Sequence, residues 1–95
     1  MAPDSIIHPL TRLSMCALLA SVDESEFATV RDAVGVSDSQ LSKHARALEE
    51  AGYIRIRKGA VGRRPRTWFK LTPEGRNAFE AHMAYLGGLV GASGS

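Results

Sequence analysis

The chain has 95 residues, a single cysteine, 44% hydrophobic residues and a formal net charge of +2. That length predicts one domain, spanning 1–95, with a core of modest size. One cysteine excludes an intrachain disulfide and suits a reducing cytoplasm; Asp4 near the start and the short apolar run Met15 to Ala20 argue against a signal peptide and a membrane span.

In chain order, a first helix is expected over Pro9 to Val22, where Leu10, Leu13, Ala17 and Ala20 share one face and Leu18 and Leu19 widen it. Asp23 to Glu26 reads as a polar break. Phe27 reads as a core anchor in a short strand that pairs further along the chain. A second helix, Thr29 to Val34, ends at Gly35, a residue suited to a left-handed C-cap.

Ser37-Asp38-Ser39-Gln40 has the Ser-x-x-Gln spacing of a capping box, and the third helix runs from there to Ala51 and stops at Gly52. Its inner stripe is Leu41, Ala45 and Leu48. Two helices joined by a tight glycine-containing turn are the helix-turn-helix arrangement.

Next come two alternating runs. Ile54 and Ile56 alternate with Arg55 and Arg57; Phe69 and Leu71 alternate with Trp68 and Lys70. Period-two alternation predicts a β-hairpin with one buried face, around a loop holding Gly59, Gly62, Arg63, Arg64, Pro65 and Arg66. Gly59 and Gly62 are expected to supply turn conformations, Pro65 to stiffen the loop, and Trp68 to cap the core or meet a second copy. Thr72-Pro73 opens the last helix as N-cap and first helical residue. Phe79, Met83, Leu86 and Val90 then repeat like a heptad seam. Residues 6–90 read as the ordered core and 91–95 as a tail that frays.

Charge is unevenly placed. Residues 39–72 hold nine basic side chains against Glu49 and Glu50, a local charge of +7, while the remainder carries −5. A basic face on a small domain fits a nucleic acid. The outward side of the third helix offers Ser37, Ser39, Gln40, Ser42, Lys43, His44 and Arg46, residue types that bond base edges or phosphates. Lys58, Arg63, Arg64 and Arg66 on the hairpin suit phosphates or the minor groove. A basic helix followed by a basic hairpin is the order of parts in a winged helix-turn-helix, an α+β and mainly helical fold.

The runs GVSDSQLSKHARALEEAGYIRIRKG and GRRPRTWFKLTPEGR resemble the small winged-helix regulators of the MarR/ArsR-like group, over about residues 6 to 90. The resemblance implies a homodimeric transcription regulator, with helix 37–51 in the major groove of double-stranded DNA and wing 58–66 beside it. Ala45 departs from the larger residue, often leucine, usual at that place. The terminal helices are expected to dimerise through an apolar surplus at Ile6, Ile7, Leu10, Phe79, Met83, Leu86, Leu89 and Val90.

His8, His44 and His82 lack metal-ligand spacing, so no metal and no cofactor is expected. Cys16 reads as a small buried hydrophobe. The absence of a Walker loop, a Gly-x-Ser-x-Gly elbow and apolar paired carboxylates predicts no enzyme. The alternatives are a winged-helix protein-interaction module, an RNA-binding winged helix, or a metal- or thiol-responsive repressor. A small-molecule effector has room only between helices or at a dimer interface.

Overall fold

The computed structural model describes residues 3–94, with side chains as far as Val90. Its elements are α1 (Leu10–Ala20), β1 (Ser25–Glu26), α2 (Phe27–Val34), α3 (Asp38–Glu50), β2 (Ile54–Val61), β3 (Arg64–Leu71) and α4 (Pro73–Gly94). The sheet is antiparallel in the order β1-β3-β2. Ile7, Met15, Leu19, Val30, Leu41, Leu48, Ile54 and Phe69 form the heart of the core. No helix among the described residues is long and apolar enough to cross a membrane.

The buried face of α1 differs from the expected stripe. Met15, Cys16 and Leu19 point inward, whereas Leu10 is 76% exposed and Ala17 is exposed too. Apolar residues surround most of this helix, so periodicity alone could not choose the face. Ile7, expected at an interface, lies wholly inside the chain's own core and offers no surface to a second copy.

Strand β1 is Ser25–Glu26, paired with Phe69 and Trp68, and Phe27 instead opens α2. The Phe27 ring lies 5.7 Å from that of Phe69, which fixes α2 to the sheet. Gly35 closes α2 at a φ of 78°, a left-handed conformation that favours glycine. The guanidinium of Arg31 then bonds Asp32 and, at 2.9 Å, Asp38 in the first turn of α3.

The hairpin is longer and its turn tighter than the sequence suggested. Pairing continues to Val61↔Arg64, leaving only Gly62 and Arg63 as the connection. Gly62 has a φ of 63° and, among the described residues, only glycines have a positive φ, the pattern of a type II′ turn. Gly59 and Pro65 therefore sit in strands and not in a loop. A side chain at Gly59 would meet the Trp68 ring at 3.2 Å, so glycine makes room for that indole. Pro65 is tolerated in β3 because β1 reaches only Trp68, leaving an open edge beyond it. Trp68 lies opposite the core face, with Arg57 stacked 4.1 Å over it. It does not cap the core.

Three backbone paths meet at Thr72. Its hydroxyl donates to Gly52 O at 2.6 Å and accepts from Gly75 N at 2.9 Å. Its own N–H donates to Tyr53 O at 3.0 Å. Gly75 lies directly against the Tyr53 carbonyl, where a Cβ would collide with backbone. From this junction α4 extends about 33 Å at the usual helical rise, and the molecule measures 55 × 25 × 20 Å. Arg76 donates to Ala20 O, satisfying the end of α1. Residues 91–94, part of the tail expected to fray, are the last turn of the α4 backbone; Ser95 lies outside the described residues.

The N-terminal segment straps α4 to the core. The Asp4 carboxylate accepts from Ile6 N, Ile7 N and, at 2.7 Å, the Tyr53 hydroxyl. Asp4 N donates to Nδ1 of His82, which is 2% exposed. Sequence reading passed over this buried histidine. Its spacing gave a signal, because it lies three residues after Phe79 and four before Leu86.

Two outcomes follow. Alanine is a better helix former than glycine by about 1 kcal/mol, yet overpacking costs about 1–3 kcal/mol. Gly75→Ala should therefore lower the urea midpoint; an increase would contradict the close approach. Burial, helped by Asp4, pushes the Cys16 thiol up to about 11. The raised folded value means that stability is intact below the unfolded thiol range and declines as pH climbs from about 9 to about 11. Urea melts at pH 8 and pH 10.5 should show this loss, and Cys16→Ala should shrink it.

Candidate nucleic-acid interface

The capping box forms as expected. Gln40 N donates to the Ser37 hydroxyl at 3.2 Å, and Ser37 N donates to Gln40 Oε1 at 3.0 Å. This fixes the start of α3 and directs Ser37, Ser39, Gln40, Ser42, Lys43 and Arg46 to solvent. Leu41, Ala45 and Leu48 are buried beneath them.

The box also limits Gln40. Bidentate recognition of adenine uses both the amide oxygen and the amide nitrogen. Here the oxygen is already engaged by Ser37, including its hydroxyl at 3.2 Å. The side chain retains only its NH₂ for a base. The Ser39 hydroxyl shares a 3.3 Å hydrogen bond with that of Ser37, whereas Ser42, Lys43 and Arg46 are not committed in this way.

His44 is half-buried and turns toward α1, where its Nδ1 accepts from Arg12 Nε at 3.0 Å. Burial holds its pKa below the ordinary histidine range, with smaller contributions from the Arg12 and Lys43 charges. Nothing in the sequence announced Arg12, which lies 32 residues from its partner.

On the hairpin, Lys58, Arg63 and Arg64 are exposed, and none has an ion-pair partner among the described residues. Arg66 is half-buried and sits 3.7 Å from Glu26 of β1. Arg57 is committed to Glu24 at 2.6 Å, and that hydrogen bond lowers the carboxyl pKa of Glu24. The basic residues thus divide. Arg31, Arg57 and Arg66 brace the scaffold, while Lys43, Arg46, Lys58, Arg63 and Arg64 are left facing solvent.

A cleft of about 620 Å³ separates α3 from the sheet. Ser42, Ala45, Arg46 and Glu49 line one side, and Ile56, Lys58 and Thr67 the other. The hairpin tip at Gly62 lies about 13 Å beyond Lys58, at 3.3–3.4 Å per strand residue. An exposed helix about 10–12 Å across matches a B-DNA major groove about 12 Å wide.

The expected interface residues occupy several environments. Leu10 and Met83 are 76% and 44% exposed, and Leu89 and Val90 are also exposed. Ile6 and Phe79 are partly buried against the core, and Leu86 is half-buried. No group of three or more potential metal ligands occurs among the described residues.

Gln40→Ala should lower folding stability by about 0.5–1.5 kcal/mol, the worth of an ordinary hydrogen bond, in the absence of any ligand. Thermal unfolding of the free protein measures this directly. An unchanged midpoint would mean that the box contributes nothing.

Residues 11–90 match the family model of a winged helix DNA-binding domain. The chain is 30% identical over 78 residues to uncharacterized protein MJ0432 of Methanocaldococcus jannaschii, an alignment spanning 82% of this chain and 85% of that one. Its fold matches the transcriptional regulator homologue protein from Pyrococcus horikoshii OT3 with a TM-score of 0.87 and 21% identity, over 95% and 89% of the two chains. A MarR-family transcriptional regulator from Enterococcus faecalis V583 matches with a TM-score of 0.76 and 22% identity, over 94% and 82%.

Proposed function

Because the chain belongs to the winged helix DNA-binding domain family, we propose that it is a homodimeric, sequence-specific transcription regulator in which α3 reads the major groove and the hairpin grips the adjacent backbone or minor groove. The observation that carries this reading is the set of unpaired basic side chains on one segment: Lys43 and Arg46 on α3, Lys58 beside the cleft, and Arg63 and Arg64 at the tip. Basic side chains left without carboxylates, on a local charge of +7, suit a polyanion. Ser39, Ser42 and Lys43 lie in the early turns of α3, where a recognition helix meets base edges. A protein-interaction module has no need of unpaired arginines at a two-residue turn.

Dimerisation is supported by exposed apolar side chains on the two terminal helices, notably Leu10, Ala17 and Met83. Two-fold symmetry in the protein calls for an inverted repeat in the DNA, with half-sites about one helical turn apart. Leu86→Asp should dissociate the dimer and weaken DNA binding with it. Light scattering at micromolar concentration tests this, and a monomeric wild-type mass would sink the dimer.

Helix and hairpin should fail differently. Lys43→Ala should cost about 1–3 kcal/mol on a site obtained by unbiased selection and much less on scrambled duplex. Arg64→Ala should weaken both duplexes similarly and reduce the salt slope by about one. Salt titrations of each variant on both duplexes separate the two patterns. If Arg63 and Arg64 are both dispensable for affinity and slope, the protein-interaction reading replaces this one.

A further inference from the structure

We propose that Arg12 is a positioning residue for DNA recognition: it holds His44 with Nδ1 bare and Nε2 protonated, so that α3 presents one fixed N–H donor. This role rests on the DNA-binding reading above and adds a residue from outside the helix and the hairpin.

The geometry dictates the tautomer. Arg12 Nε–H donates to His44 Nδ1 at 3.0 Å. A guanidinium has no acceptor and keeps its protons, so Nδ1 must contribute a lone pair. A neutral imidazole with bare Nδ1 carries its hydrogen on Nε2. Arg12 is itself held, because Nη1 donates to Ile6 O at 3.3 Å. Ile6 belongs to the strap that Asp4 fastens through Ile6 N, Ile7 N and the Tyr53 hydroxyl. The charged groups facing His44 are Arg12 from α1 and Lys43 on its own helix, and both oppose a second proton.

The chemical consequence is selectivity. A doubly protonated histidine would be a cation attracted to any phosphate. A neutral ring with Nε2–H donates one hydrogen bond and accepts none at that atom. It fits the N7 and O6 acceptors of guanine, the O4 of thymine or a phosphate oxygen, and it cannot receive the amino groups of adenine or cytosine. Arg12 thereby turns an ambidextrous side chain into a donor.

The test combines nitrogen NMR of the His44 ring in the free protein with DNA binding. The wild-type ring should be protonated at Nε2 and bare at Nδ1 at pH 7.5. Arg12→Met should mix the tautomers and let the ring take its second proton at a higher pH than the wild type does, whereas Arg12→Lys, which retains a charged donor, should restore much of the wild-type state. On a selected duplex Arg12→Met should weaken binding about three- to tenfold, the worth of one hydrogen bond. In a His44→Gln background, whose amide nitrogen keeps a donor and does not titrate, the same change should cost about twofold or less. An Nδ1–H ring in the wild type overturns the role. So does an equal cost of Arg12→Met in both backgrounds, which marks packing alone. A wild-type protein that binds no duplex overturns the DNA reading, and this role with it.

Discussion

The Thr72 hydroxyl is the point on which the rest of the structure hangs. It donates to Gly52 O, where α3 has just ended, and accepts from Gly75 N, where α4 begins, while Thr72 N bonds Tyr53 O at the root of the hairpin. Helix α3, the hairpin and the terminal helix are therefore fixed to one another by three hydrogen bonds around a single buried residue. Gly75 completes the clamp, since only a residue without a side chain can lie against the Tyr53 carbonyl. The clamp sets the angle at which the hairpin leaves the end of α3. That angle decides whether helix and tip can meet one duplex together.

Carboxylates then sort the cations. Glu24, just before β1, engages Arg57, and Glu26 within it engages Arg66; Asp32 and Asp38 engage Arg31. These pairs are solvent-exposed and screened, so they add little to stability. Their larger effect is to pair some arginines with carboxylates while leaving others facing solvent. Arg57 gains further from the Trp68 ring, which packs closely over the bare backbone of Gly59. A basic segment that looked uniform in sequence is divided between paired and solvent-facing side chains.

Local chemistry was legible in the sequence. The capping box at Ser37 and Gln40, the left-handed glycine at 35, the Thr72 cap and the alternating faces of the hairpin all follow from short-range rules and all appear in the fold. Long-range chemistry was not. Nothing local indicated that Arg12 bonds His44, that Asp4 ties the N-terminal segment to Tyr53 and His82, or that Gly59 yields to Trp68. The face of α1 was misjudged because apolar residues lie on several sides of it, and period alone cannot rank them. Gln40 was legible as a cap and as a base reader, but one carbonyl oxygen cannot serve fully as both.

The most direct measurement of the DNA-binding account is amide chemical-shift mapping of the isotope-labelled protein as a selected duplex is added. The largest shifts are expected in residues 37–46 and 58–66, with the solvent-facing part of α4 little changed. Shifts confined to α4 and the exposed edge of α1, with the helix 38–50 and the hairpin tip unmoved, would contradict it.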